Sequence, residues 1–182
     1  RELKKRSSTV HDYATVSLYT GMRAGEIFAL RGHDVDLKNK LITITDPKNK
    51  MRRTVFMTAE VKKLLAARMP KEPEGYIFKD QRHGVRITEV SETFKLVADA
   101  LFNVGVDDRR QRVTFHTLRH SHASWLAIQG ESLLVIKEAL GHKDLKMTQR
   151  YAHLADEARR RAAERLEKDF HKHTHPPTKR ES

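Results

Sequence analysis

Apolar and polar positions along this chain recur with two different periods, and the changes of period outline the elements. Val10, Tyr13, Ala14 and Leu18 keep helical spacing behind Ser8 and Thr9, either of which suits an N-cap, so a helix is predicted from there towards Gly21. Gly21 lets the chain turn, and a second short helix is predicted from Arg23 to Leu30. The period then drops to two. Lys40 to Thr45 alternates and is rich in β-branched residues, and Arg53 to Met57 does the same after Asp46-Pro47-Lys48-Asn49-Lys50, which predicts a β-hairpin. Thr58 is an N-cap for a helix ending before Pro70, and Gly75 to Phe78 suggests a short third strand. Val90, Phe94, Val97 and Leu101 predict a helix over about 88–101, followed by a polar, basic loop from Asn103 to Arg112.

The helical pattern resumes at His116 and stops at Gly130. Ser132 caps a helix that ends at Gly141, and Asp144 caps another that carries Tyr151. A last amphipathic helix is expected over about 155–169, with Ala155, Ala158, Ala162, Leu166 and Phe170 on one side. The segment from His171 to Ser182 reads as a disordered tail, in which His171, His173 and His175 are solvated. The fold class is therefore mainly α with a small antiparallel sheet, a β-hairpin plus a short third strand, and no internal repeat.

Composition narrows the class. The 182 residues suit one domain or at most two small ones. Lys plus Arg is 36 against 24 Asp plus Glu, a formal net charge of +12, which favours a polyanionic partner, nucleic acid above all, or an anionic membrane surface. The absence of cysteine excludes a disulfide scaffold, a Cys-ligated zinc module and a cysteine nucleophile. No apolar run approaches the ~20 residues that span a bilayer, and the charged start from Arg1 to Arg6 does not read as a signal peptide. The expectation is a soluble, basic protein of the cytoplasm.

Four features then stand out as candidate chemistry. Arg23 and Glu26, three apart, share a helix face, which suits either a solvated ion pair or an arginine held by a carboxylate so that its fork meets a phosphate. His116 and Arg119 have the same spacing at a helix start, where anions collect. A metal site at His116 and His120 is disfavoured, since no Glu follows the first His and no acidic third ligand is near. His142 precedes a helical Tyr151 with polar neighbours Gln149, Arg150 and His153, although a helical tyrosine is usually a core residue. Lys48 sits at the hairpin tip, where a lysine is ordinarily just solvated. Together, two arginines, two histidines, a tip lysine and a tyrosine suit phosphodiester transesterification. Preorganised cations stabilise charge on the non-bridging oxygens, a phenol attacks, and a mobile lysine protonates the leaving oxygen. The cations can do this without a metal, and the resulting phosphotyrosine keeps the energy of the diester, so neither ATP nor water as nucleophile is required.

On these residues the chain resembles the tyrosine recombinase (phage integrase) family. Thr20-Gly21-Met22-Arg23-Ala24-Gly25-Glu26 through Arg31 is similar to its first arginine box, and His116-Thr117-Leu118-Arg119-His120 to its His-x-x-Arg box. Leu140-Gly141-His142 through Tyr151-Ala152-His153 is similar to its closing box, and Lys48 lies five residues before Arg53, where the family's hairpin lysine lies. The resemblance covers residues 8–155 and implies the DNA breaking-rejoining catalytic fold. It implies Tyr151 as the nucleophile of a 3′-phosphotyrosyl link, with Arg23, Arg119 and His142 binding the scissile phosphate. His116 would assist proton transfer, Lys48 would be the general acid, and Glu26 would be a supporting residue. Lys50, two residues away, competes with Lys48 for the acid role. His120 matches a structural position. Phe56 stands where the family commonly has proline, and His122 where an apolar residue is usual.

The organisation implied is the end of an interdomain linker at 1–7, a catalytic domain at 8–170 and a tail at 171–182, without the N-terminal core-binding domain. The implied partners are double-stranded DNA, sibling protomers in a synaptic tetramer, and a directionality or DNA-bending factor. The implied setting is a prokaryotic nucleoid or a phage acting in its host. The last helix would pack on its own domain or pass to a neighbouring protomer. Type IB topoisomerase-like relaxation is the alternative within the same chemistry. A DNA-binding module without catalysis is disfavoured by six filled reactive positions, and a metal-dependent nuclease by the lack of clustered carboxylates.

Overall fold

The computed structural model describes residues 1–45, 52–80 and 83–174. The chain divides into two compact units, residues 1–122 with 139–141, and residues 123–138 with 142 onward.

The first unit opens with helix α1 (Glu2–Arg6), where a linker end was expected; Leu3 packs on the core. Helix α2 (Ser8–Thr20) begins one residue after its N-cap, Ser7, whose hydroxyl accepts from the Val10 amide. It ends at Gly21, which is left-handed (φ 68°) and donates its amide to the Ser17 carbonyl. A Cβ at Gly21 would sit 2.8 Å from both His122 and Leu140 side chains, so glycine is required by space as well as by conformation. Helix α3 (Ala24–Ala29) follows at once.

The sheet is β1 (Val35–Asp36), β2 (Leu41–Thr45) and β3 (Arg52–Phe56), antiparallel in that order. Its register pairs Val35 with Ile42, Ile42 with Val55 and Ile44 with Arg53. Thus the predicted hairpin is present, but the third strand is Val35–Asp36 and not Gly75–Phe78. Tyr76 makes only an isolated bridge to Arg31, while Ile77 and Phe78 are apolar because they fill the core. Period-two geometry puts Ile42, Ile44 and Val55 on the buried face.

Thr58 caps α4 (Ala59–Ala66) by accepting from the Val61 amide, and Ser91 caps α5 (Glu92–Leu101). The core of this unit gathers Tyr13, Phe28, Phe78, Phe94 and Phe115, with Tyr13 edge-on to Phe28 at 5.1 Å and to Phe115 at 5.5 Å. The Tyr13 hydroxyl accepts from the Ser91 amide, which satisfies its one polar atom in that core, and burial raises its pKa. Asn103 closes the polar loop, accepting from the Val113 amide and donating to the Val113 carbonyl.

Helix α6 (Phe115–Gln129) starts in the first unit and ends in the second, whereas α7 (Leu133–Leu140) starts in the second and ends in the first, before left-handed Gly141 (φ 64°). Ser132 accepts from the Val135 amide, as its capping role requires; Asp144 accepts from the Lys146 amide but stands one residue ahead of the N-cap of the next helix, Leu145, so the expected cap is displaced by one. Helix α8 (Lys146–Gln149) stops short of Tyr151, which occupies the turn before α9 (Ala152–Thr174). The expectation that Tyr151 rides on the helix capped by Asp144 is corrected accordingly. Helix α9 also runs farther at both ends than the predicted 155–169, and takes in residues 171–174. Its Ala155 and Ala158 are buried, whereas Ala162, Leu166 and Phe170 are exposed. Among the described residues no helix is long and apolar enough to cross a membrane.

Candidate active site

The turn that carries Arg23 is built by its own side chains. Thr20 donates to the Val16 carbonyl and accepts from the Met22 amide, and Ser17 donates to the Met22 carbonyl. Arg23 is the N-cap of α3, and Glu26 reaches back to it with both oxygens. Oε2 accepts from the Arg23 amide at 2.8 Å, and Oε1 accepts from its Nη1 at 3.1 Å. This carboxylate holds one edge of the guanidinium while 41% of the side chain stays accessible.

Arg119 is held differently. It lies one turn into α6, only 2% exposed, with Nη1 donating to the Gly21 carbonyl and Nη2 to the Leu140 carbonyl, both at 2.6 Å. Gly21 closes α2 and Leu140 closes α7, so one guanidinium meets the carbonyl ends of two helices, where unpaired acceptors and partial negative charge accumulate. A buried cation without such partners would cost several kcal/mol. The contact to Gly21 brings Arg119, 96 positions away in sequence, to the turn that carries Arg23.

His116 sits in the first turn of α6, and its ring meets that of His120 edge-on at 4.6 Å. The helix start is closed by Thr117, whose hydroxyl accepts from the Thr114 amide. His122, on the same helix, bonds through Nδ1 to the Leu18 carbonyl, and burial lowers its pKa.

The second unit holds His142 and Tyr151, joined through Thr148. His142 Nδ1 lies 2.9 Å from the Thr148 hydroxyl, and the Tyr151 amide donates to the Thr148 carbonyl at 3.0 Å. Thr148 is fully buried and Tyr151 nearly so. Lys48 and Lys50 lie outside the described residues.

Two further residues belong to this description and were not singled out by spacing. Thr148 is three positions before Tyr151, a signal readable only once a turn is known to lie between them. Arg53 donates from Nη2 to Glu26 Oε2 at 2.7 Å and from Nη1 to the Ala139 carbonyl at 3.3 Å. Its parity with buried Val55 was the available clue, because it directs a cation to the core face of β3. Gly141 allows this, since a Cβ there would collide with the Arg53 side chain.

The first unit thus brings two arginines to one turn, and the second ties a histidine and a tyrosine to one buried threonine. Residues 2–158 match the model of the phage integrase family. The chain is 34% identical over 137 residues to the tyrosine recombinase XerA of Saccharolobus solfataricus, covering 75% of this chain and 43% of that protein. It resembles the solved catalytic domain of bacteriophage HP1 integrase (27% identity, TM-score 0.57, 94% of this chain and 84% of that one). It also resembles XerH site-specific recombinase, solved in a post-cleavage complex with palindromic difH substrate (26% identity, TM-score 0.65, 91% of this chain and 47% of that one). The chain belongs to the phage integrase family and has the fold of a tyrosine recombinase catalytic domain. It spans about half the length of the curated relatives it matches.

Proposed function

We propose that this chain is the catalytic portion of a site-specific DNA recombinase that cuts and rejoins strands by transesterification. The observation that carries the reading is the meeting of Arg23 and Arg119 at the Thr20–Arg23 turn, in a family whose members are named integrases and recombinases. In the first step the Tyr151 oxygen attacks the scissile phosphorus and its proton passes to His116. The bond from phosphorus to the 5′ oxygen breaks, and Lys48 supplies the proton to that oxygen. A 3′-phosphotyrosyl diester and a free 5′ hydroxyl result. In the second step a 5′ hydroxyl of the partner strand attacks the phosphotyrosine, the protons run in reverse, and Tyr151 is released. Arg23, Arg119 and His142 stabilise the charge on the non-bridging oxygens in both steps. A diester is exchanged for a diester, so the cycle needs no ATP and no attacking water.

Double-stranded DNA is the substrate, and strand exchange between two duplexes takes place in a synaptic tetramer of protomers. The net charge of +12 makes DNA binding steeply salt-dependent.

The test uses a pool of nicked duplexes of randomised sequence, incubated with the chain in EDTA and resolved under denaturing conditions. DNA covalently attached to wild-type protein, and none attached to Tyr151→Phe, is the expected result. Adduct that persists in Tyr151→Phe overturns the nucleophile, and cleavage that disappears in EDTA points to a nuclease instead.

A further inference from the structure

Arg53 occupies an unusual place for a cation. It shares a face of β3 with buried Val55, is paired in register with Ile44, and its side chain is only 18% accessible. Its two terminal nitrogens part company: one goes to Glu26 on α3, the other to Ala139 at the end of α7. The neighbouring Leu140 carbonyl accepts from Arg119, Arg119 also binds Gly21, and two residues on from Gly21 stands Arg23, whose amide and guanidinium both bind Glu26. The contacts close a ring through Arg23, Glu26, Arg53, the last carbonyls of α7, Arg119 and Gly21. Every polar link in it is charge-assisted on at least one side, which makes it shorter and stronger than a neutral link.

Resting on the recombinase reading, the geometry points to Arg53 as a positioning residue that acts through Glu26 on Arg23. Glu26 Oε2 takes two donors, the Arg23 amide and Arg53. Removing Arg53 leaves the carboxylate held, among the described residues, by Arg23 alone, free to swing with the very side chain it must fix. The Ala139 contact supplies the second constraint, because it ties the Arg23 turn to the helix end on which Arg119 is anchored. Lysine has no fork and reaches one of these acceptors, not both. The role belongs to Arg23 and its phosphate contact, not to the acid, even though Arg53 lies on the strand that follows Lys48.

The experiment compares the wild-type chain with Arg53→Met and Arg53→Lys by hydrogen exchange and by single-turnover adduct formation. The adduct arm uses duplexes recovered from the randomised pool and remade with either oxygen or sulfur bridging phosphorus and the 5′ carbon. Exchange at the Arg23 amide is expected to rise roughly tenfold in Arg53→Met, with the Met57 amide, bonded to the Lys40 carbonyl, unchanged. Adduct formation is expected to fall roughly 10- to 100-fold on both substrates, with Arg53→Lys intermediate. Sulfur needs no acid to leave, so a defect cured by sulfur overturns the assignment to Arg23 and moves Arg53 to the Lys48 hairpin. Unchanged exchange at Arg23, or wild-type rates in both variants, overturns it outright. Absence of adduct from the wild-type chain sinks the recombinase reading, and the tether of Arg53 to Glu26 and Arg23 is then judged by exchange.

Discussion

Replacing Arg119 by lysine separates structure from chemistry in the two arginines. Arg119 spans the Gly21 and Leu140 carbonyls with two nitrogens at 2.6 Å in a site closed to water, whereas a lysine ammonium reaches one of them. A hydrogen bond to a charged group contributes about 1.5–3 kcal/mol, and the abandoned carbonyl at a helix end gains no water in exchange. Arg119→Lys is therefore expected to lose about 2–3 kcal/mol of folding stability. At about 2–4 °C per kcal/mol for a domain of this size, the midpoint of thermal unfolding falls by about 4–12 °C. Arg23→Lys disturbs a half-exposed pair with Glu26 worth under about 1 kcal/mol, and its midpoint stays within about 4 °C of wild type. Both variants lower single-turnover adduct formation by about 10²–10³. Thermal melts followed by circular dichroism, run beside the adduct assay, check the contrast. An Arg119→Lys protein that melts with the wild type refutes the claim that this guanidinium closes two helix ends.

Thr148→Val keeps the shape of a fully buried residue and its backbone bond to Tyr151 but removes the hydroxyl partner of His142, so adduct formation should drop about tenfold with little change in DNA affinity. Equal rates in the two proteins remove Thr148 from the site. His122 has its pKa lowered, chiefly by burial, so the unfolded chain binds this proton more readily than the fold does. Stability tied to His122 is thus complete above the unfolded value of ~6.5 and declines as pH falls below it. His122→Phe should flatten the acid side of a urea-denaturation series below about pH 6.5, and an unchanged slope would assign that acid loss to other groups.

Most of the helices were legible because their signals are local. Thr58 and Ser132 at helix starts and glycines at positions 21, 130 and 141 act within a turn or two, and the first cap was misplaced only slightly, at Ser8 or Thr9 where Ser7 holds it. The hairpin was legible from its alternation. The third strand was not, because Val35–Asp36 is two residues long and has no period to detect, while Ile77 and Phe78 carry a strand-like composition for reasons of core packing. The break before Tyr151 was missed because the apolar and polar pattern continues across it from α8 into α9.

The identities of Arg23, His116, Arg119, His142 and Tyr151, and the chemistry those side chains can perform, were properties of the one-dimensional chain. What the three-dimensional structure decided is how they are held. It sets a cation of β3 against Glu26, one buried guanidinium across the ends of two helices, and a threonine between His142 and the backbone of Tyr151. Such contacts join residues up to 98 positions apart, over which no local preference acts. They arise where buried donors and acceptors must find one another once water has been removed.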